Sequence, residues 1–267
     1  MSHVQTHAHV LGAILALAAG ACPLAGAPDA RGQPLATSEQ LIVCVSPAWD
    51  SHRALLQCFE RNESGSDSTW RAASPAMPAL VGRNGLAWGR GLAIDPSQHD
   101  AMKKEGDGCS PAGIFEVGPV FGYAPQLPAG ADYPYHQVTI ADAWIDDPAH
   151  PRYNEHIVVD PADPPPWFER ARMRLGDPAY RWLIAIRHNP PPALPGAGSA
   201  IFLHIRRGED RQTTGCTALA GNDLEWIVRW LRADRQPRFV ALPATEYQRL
   251  WRDWSLPDPK HTALLAD

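Results

Sequence analysis

The chain has 267 residues and a formal net charge of −5, from 24 Lys plus Arg and 29 Asp plus Glu. That length suits one domain with a sizeable core, or one domain with small appendages. The acidic balance argues against a basic nucleic-acid surface, so no nucleic-acid partner is expected.

The first feature in chain order is the apolar run Val10 to Ala19. It has the length of a signal-peptide core and is too short to span a bilayer. Small residues follow, and Ala25-Gly26-Ala27 has the small-x-small form of a cleavage site. Residues 1–27 are therefore expected to be a removed export signal, which places the mature protein in the periplasm. The n-region departs from the usual pattern, with His residues and no Lys or Arg. Lipidation at Cys22 is the less favoured alternative, because the larger aliphatic residue three positions before the Cys is missing. No later stretch is long and apolar enough for a transmembrane helix.

Cys44, Cys58, Cys109 and Cys216 remain after that segment. An oxidising compartment tends to pair thiols. "QLIVCVS" and "ALLQCFE" read as neighbouring strands, so a Cys44–Cys58 disulfide, worth about 3 kcal/mol for a short loop, stands level with two buried free thiols. No CxxC spacing occurs, which argues against a structural zinc cluster.

Short apolar runs then recur between turn residues: "LIVCV" (41–45), "ALVG" (79–82), "GIFEVG" (113–118), "HQVTI" (136–140), "HIVVD" (156–160), "YRWLIAI" (180–186), "AIFLHI" (200–205) and "RFVAL" (238–242). This pattern predicts a mainly β domain with a few short covering helices. "VGRNGLAWGRG" (81–91) lacks the GK[ST] ending of a phosphate loop and reads as hairpin chemistry. "DPADPPPW" (160–167) reads as a rigid surface connection. Short helices are expected over 166–175 and 245–254. The strongest helix is "NDLEWIVRWLRA", with Asn222 and Glu225 as a capping box and Leu224, Ile227, Val228 and Leu231 as one apolar stripe.

Near the C-terminus lies "FLHIRRGEDRQTTGCTAL" (202–219). The thiolate is the nucleophilic form of Cys, and an imidazole can take its proton. Gly215 lets substrate approach and lets the backbone aim N–H groups at a developing oxyanion. Thr213 and Thr214 can bind a polar group of the substrate or fix the turn. His204 and Cys216 are thus a candidate general base and nucleophile; the alternative is a core histidine and a buried thiol.

"HIRRGEDRQTTGC" resembles the motif of the L,D-transpeptidase (YkuD-type) catalytic domain, a His followed after a variable gap by [Ser/Thr]-x-Gly-Cys. Thr213, Thr214, Gly215 and Cys216 fill those positions. "GDGCSPAGIFEVG" (106–118) is similar to the family's Thr-Pro-x-Gly-x-Phe strand, with Ser110, Pro111, Gly113 and Phe115 in place. "IDDPAHPRYN" (145–154) and "GAGSAIFLH" (196–204) resemble an exported bacterial subfamily, and the likeness runs over residues 38–257. Two departures stand out: Thr214 replaces the usual His, and Ala218 replaces the usual Arg two residues after the Cys.

The resemblance implies a β-sandwich or barrel-like catalytic domain over 38–257 and peptidoglycan stem peptides as substrate. It implies a thioester on Cys216, with His204 moving the proton and the backbone at Thr214, Gly215 and Cys216 holding the oxyanion. A carbapenem adduct at the nucleophile is expected. The chemistry requires no cofactor and no metal. With Ala218 in place of Arg, Arg206, Arg207 or Arg211 would have to meet a substrate carboxylate. Hydrolysis of the same thioester (L,D-carboxypeptidase or endopeptidase) and a non-catalytic wall-binding module are the alternatives. Asp146 and Asp147 are expected to fix a turn before Pro148, with contact to stem-peptide amines the less favoured alternative. Tyr153 and Asn154 either line the cleft or pack. His136, His150, His156 and His188 show no partner spacing and are expected to be surface or core histidines.

Overall fold

In chain order the strands are β1 (Gln40–Ser46), β2 (Arg53–Glu60), β3 (Arg71–Ala72), β4 (Met77–Leu80), β5 (Leu86–Trp88), β6 (Ser110–Gly122) and β7 (Tyr135–Gln137). They continue as β8 (Asp142–Trp144), β9 (His156–Val158), β10 (Trp182–Ile186), β11 (Phe202–Ile205), β12 (Thr217–Leu219) and β13 (Arg238–Pro243). The helices are α1 (Phe168–Ala171), α2 (Gly221–Trp230) and α3 (Ala244–Leu250). This computed structural model describes residues 34–61, 69–94, 99, 101–174 and 176–265. The expected export segment 1–27, Cys22 included, lies outside them.

The fold is mainly β and its sheet closes on itself. Neighbours run β1-β13-β6-β10-β11-β12-β4-β2, and β2 pairs back to β1, giving a barrel-like ring of 8 strands. Closure leaves no long exposed edge among these strands. β1 is buried at every position. A strand covered on both faces needs a continuous apolar run rather than alternation, and "QLIVCVS" supplies one. β6 is the longest strand and pairs with both β13 and β10. Its register against β10 shifts between Ile184 and Ile186, opposite Gly118 and Pro119. Pro has no N–H for a ladder, and the bulge is where a strand tolerates one.

The apolar stripe of α2 is present: Leu224, Ile227, Val228 and Leu231 are all fully buried. The expected capping box is not. The helix starts at Gly221, the cap position is Ala220, and no side chain caps it. The chain turns straight out of β12 into the helix, so the strand exit sets the start and leaves Asn222 inside the first turn. The helix expected over 166–175 shrinks to α1, because Arg172 bridges to Ala143 and the Met173 N–H bonds Asp142 O at 2.8 Å. β8 thus takes the chain that would have extended the helix. In the Gly-rich segment, Gly85 N–H bonds Gly82 O at 2.8 Å and the two glycines form one antiparallel bridge around a two-residue turn, but β5 then runs parallel to β6, so the turn is not extended into a hairpin of strands. At Gly85, with φ +76°, a Cβ would lie 1.9 Å from Trp49 O, so the close approach requires glycine.

Cys44 and Cys58 are both free and buried. The expected strand neighbours are found, but the register pairs Cys44 with Leu56 and Cys58 with Ile42. The two thiols are therefore diagonal neighbours, roughly 7–8 Å apart in an antiparallel ladder. That exceeds the span a disulfide accepts without backbone movement.

Candidate active site

His204 sits in β11, and Cys216 directly precedes β12. These two strands pair in parallel, with Leu203 opposite Thr217 and His204 opposite Ala218. Side chains alternate along a strand, so residues 216 and 218 share a face. His204 and Cys216 therefore project from the same side of the sheet on adjacent strands. Phe121, Leu183, Ala185 and Phe202 form the apolar floor of that side, and Cys216 packs against it.

The turn before β12 is braced from within. Thr213 Oγ1 donates to Cys216 O at 2.6 Å and accepts from Gly215 N–H at 3.2 Å. Ser110 Oγ, at the start of β6, donates to the same Cys216 O at 3.0 Å. Thr213 is buried, so its hydroxyl serves the turn and does not face substrate. The Gly215 N–H is likewise taken by Thr213, which removes it from the expected oxyanion donors. Gly215 itself has φ +154°, and an added Cβ would lie 3.2 Å from Cys109 O and 3.5 Å from Lys103 Nζ. That conformation favours glycine, and an added Cβ would crowd the Cys109 carbonyl. Thr214 is exposed at the tip.

Cys216 is a free thiol. Its Sγ lies 3.4 Å from Ala200 O. Burial pushes the thiol up, while the Phe202 N–H and the charges of Lys103 and Arg207 pull against that rise. His204 Nδ1 lies 2.8 Å from Ile205 O. A carbonyl only accepts, so Nδ1 carries the proton and Nε2 is left as the basic nitrogen. Burial depresses the His204 pKa, with the Ile205 bond opposing it. The Tyr180 ring meets the imidazole edge-on at 5.8 Å between centroids.

Several supports are absent from any local sequence pattern. Lys103 is buried, and its Nζ bonds Asp107 Oδ1 at 2.8 Å. Burial works against charge on Asp107, but the Lys103 ammonium and the N–H groups of Lys104 and Cys109 hold the carboxyl below its ordinary range. Asn154 is buried and joins three segments. Its Nδ2 donates to His188 O and Asn189 O, both at 2.9 Å. Its Oδ1 accepts from Trp144 Nε1 and Ala200 N–H, both at 3.0 Å. Asn154 thereby holds the N–H of Ala200, the residue whose own carbonyl faces the Cys216 sulfur. Tyr153 is buried, its hydroxyl bonded to Glu105 and accepting from Gly198 N–H at 3.1 Å. Both residues pack behind the site.

Of the arginines considered for a substrate carboxylate, Arg206 pairs with Glu209 at 2.7 Å and Arg207 pairs with Asp177 at 2.7 Å. Asp147 Oδ1 accepts from Ala149 N–H at 2.9 Å, the expected turn before Pro148. His188 is a core histidine, 2% exposed, bonded through Nε2 to Ala197 O. A groove of about 570 Å³ lined by Arg53, Leu55, Pro78, Arg206 and Gln248 is not lined by either His204 or Cys216. Volume alone therefore does not locate the chemistry.

Comparison with curated proteins and with solved structures gave no match. Among family models, residues 55–240 match YkuD, the L,D-transpeptidase catalytic domain. The match takes in β11, the braced turn and β12, on a sheet of the expected kind. With more than half of its length so matched, the chain belongs to the L,D-transpeptidase catalytic-domain family.

Proposed function

We propose that the protein is a cysteine L,D-transpeptidase acting on peptidoglycan stem peptides in the periplasm. The reading is supported above all by the parallel pairing of β11 with β12, in which His204 and Cys216 fall at diagonal positions on one face. It is supported by the His204 Nδ1 contact to Ile205 O, which leaves Nε2 as the proton acceptor.

Burial favours the neutral form of both partners. The resting pair is then thiol plus imidazole, and proton transfer accompanies attack. Cys216 Sγ adds to the carbonyl on the L-centre of the third stem residue while His204 Nε2 takes the thiol proton. The Thr214 and Cys216 N–H groups remain for the tetrahedral oxyanion, since Gly215 N–H is engaged within the turn. Collapse expels the terminal D-amino acid, whose amine receives the proton from His204, and leaves a thioester. An amine from a second stem then gives the cross-link and restores the thiol.

With Ala218 buried against His204, no cation occupies the position two residues after the nucleophile. Lys103 and Arg207 are the cations that act on the thiol. Incubation with purified muropeptides, read by mass spectrometry, tests the proposal. Cross-linked dimers are the expected product. Shortened stems alone would reassign the thioester to hydrolysis. Unchanged muropeptides would overturn catalysis and favour a wall-binding module.

A further inference from the structure

Three side chains converge at the other end of the same sheet face. His136 Nε2 lies 2.6 Å, and His156 Nε2 2.7 Å, from one oxygen, Asp142 Oδ1. All three ligand-type atoms lie within 4.8 Å of one another. The residues come from three strands, β7, β8 and β9, and each strand is 3 residues long. From the geometry we infer that His136, Asp142 and His156 form a binding site for a divalent transition metal of the zinc class.

The donor set selects the ion. Two imidazole nitrogens and one carboxylate oxygen suit zinc, copper or nickel, whereas calcium and magnesium require mainly oxygen. The carboxylate is already oriented: Asp142 Oδ2 accepts from Thr139 N–H and Thr139 Oγ1, both at 2.7 Å. That leaves Oδ1 as the single coordinating oxygen, the kind of outer support metal carboxylates have. The Asp142 side chain is 1% exposed, while His156 and His136 are 20% and 39% exposed. The site thus has a buried anchor and an open side where water can complete four ligands.

The metal-free contacts are tighter than a bound ion allows. Metal bonds of about 2.0–2.1 Å at tetrahedral angles separate ligands by about 3.3 Å. Each Nε2 must therefore retreat roughly 0.6 Å from Oδ1, which the exposed His136 ring can do while Thr139 holds the carboxylate. Each Nε2 now carries the ring proton to Oδ1. A metal takes the unprotonated Nε2, so the ring proton of a coordinated imidazole resides on Nδ1.

The position gives the ion a structural task. Across the sheet, His136, Phe121, Leu183 and His204 follow one another in register. Three strand spacings put the site about 14 Å from the catalytic imidazole. Asp142 and His156 are diagonal neighbours on the hairpin of β8 and β9, whose connecting segment carries Asn154. A bound ion would clamp that hairpin to β7 and so firm the support of Ala200 beside Cys216.

The test is titration of the full chain with zinc chloride by calorimetry, beside Cys109→Ser/Cys216→Ser and His136→Gln forms. The expected result is one zinc per chain that persists without the two thiols and weakens at least about tenfold in His136→Gln, as loss of a ligand or even of a ligand's support does. Zinc should raise the melting temperature of the parent more than that of His136→Gln. Cobalt(II) should give ligand-field bands without a thiolate charge-transfer band. Binding unchanged by His136→Gln, binding lost with the thiols, or no binding at all would overturn the inference. Each of these outcomes leaves the thioester chemistry at Cys216 standing, because that reaction uses no metal.

Discussion

Three thiols sit in two very different settings: Cys44 and Cys58 are buried, and Cys216 is partly exposed. Cys44 and Cys58 lie in β1 and β2, inside the apolar core. Burial alone pushes Cys44 up to about 12, and Cys58 is raised further, chiefly by burial. Cys216 is also pushed up by burial, but the Phe202 N–H and the Lys103 and Arg207 charges counter it. The difference lies in donors and cations arranged around the sulfur, with a neutral imidazole on the next strand.

That contrast can be broken most severely at the pair itself. Cys216→Ala should abolish turnover of muropeptides, while Cys44→Ala and Cys58→Ala keep it. His204→Ala should lower the acylation rate by about 10²–10⁴, the usual worth of a positioned base. Single-turnover kinetics would check both, and an unaffected rate in His204→Ala would refute the assignment of the base.

The turn offers a subtler cut. Thr213→Val keeps the shape but leaves the Gly215 N–H unpaired and takes one of two donors from Cys216 O. A buried unsatisfied group costs about 1–3 kcal/mol. Stability should fall by that amount and acylation should slow, because the freed Gly215 N–H no longer fixes the turn. Urea melts and stopped-flow acylation measure the two effects; a faster enzyme would show that the brace is not needed.

The core behind the site should announce itself through pH. Burial depresses the His188 pKa to about 4, with the Ala197 carbonyl contact partly opposing it. In the unfolded chain His titrates near 6.5. Between those values the unfolded chain holds a proton that the folded chain does not, so stability falls as pH drops from about 6.5 to about 4. The full loss is about 3 kcal/mol, and it levels off below the folded value. His188→Gln should flatten that slope in melts taken across the window, and an unchanged slope would assign the titration elsewhere. The smallest effect belongs to the core thiols: Cys44→Ala should cost about 1 kcal/mol, read as a shift in denaturation midpoint with acylation intact.

How much of this was legible in the chain follows from the range of each contact. The strands were readable because "LIVCV", "WLIAI" and "RFVAL" are unbroken apolar runs bounded by turn residues. The α2 stripe was readable for the same local reason. Its cap was not, since the strand preceding it dictates where the helix begins. His204 and Cys216 stood out through a motif confined to one short segment. Asn154 was legible only as a residue that lines the cleft or packs, and the Ser110 contact to Cys216 was not legible, because their partners lie in distant segments; Lys103 carried no motif to mark it. His136 and His156 lacked any spacing rule; only the register of three short strands brings them to Asp142.

The most direct test is intact-mass analysis of the protein after exposure to a carbapenem, followed by peptide mapping. One covalent addition is expected, located on Cys216, absent from Cys216→Ala and strongly reduced in His204→Ala. An unmodified wild-type mass, or an adduct mapped to Cys109, would contradict it.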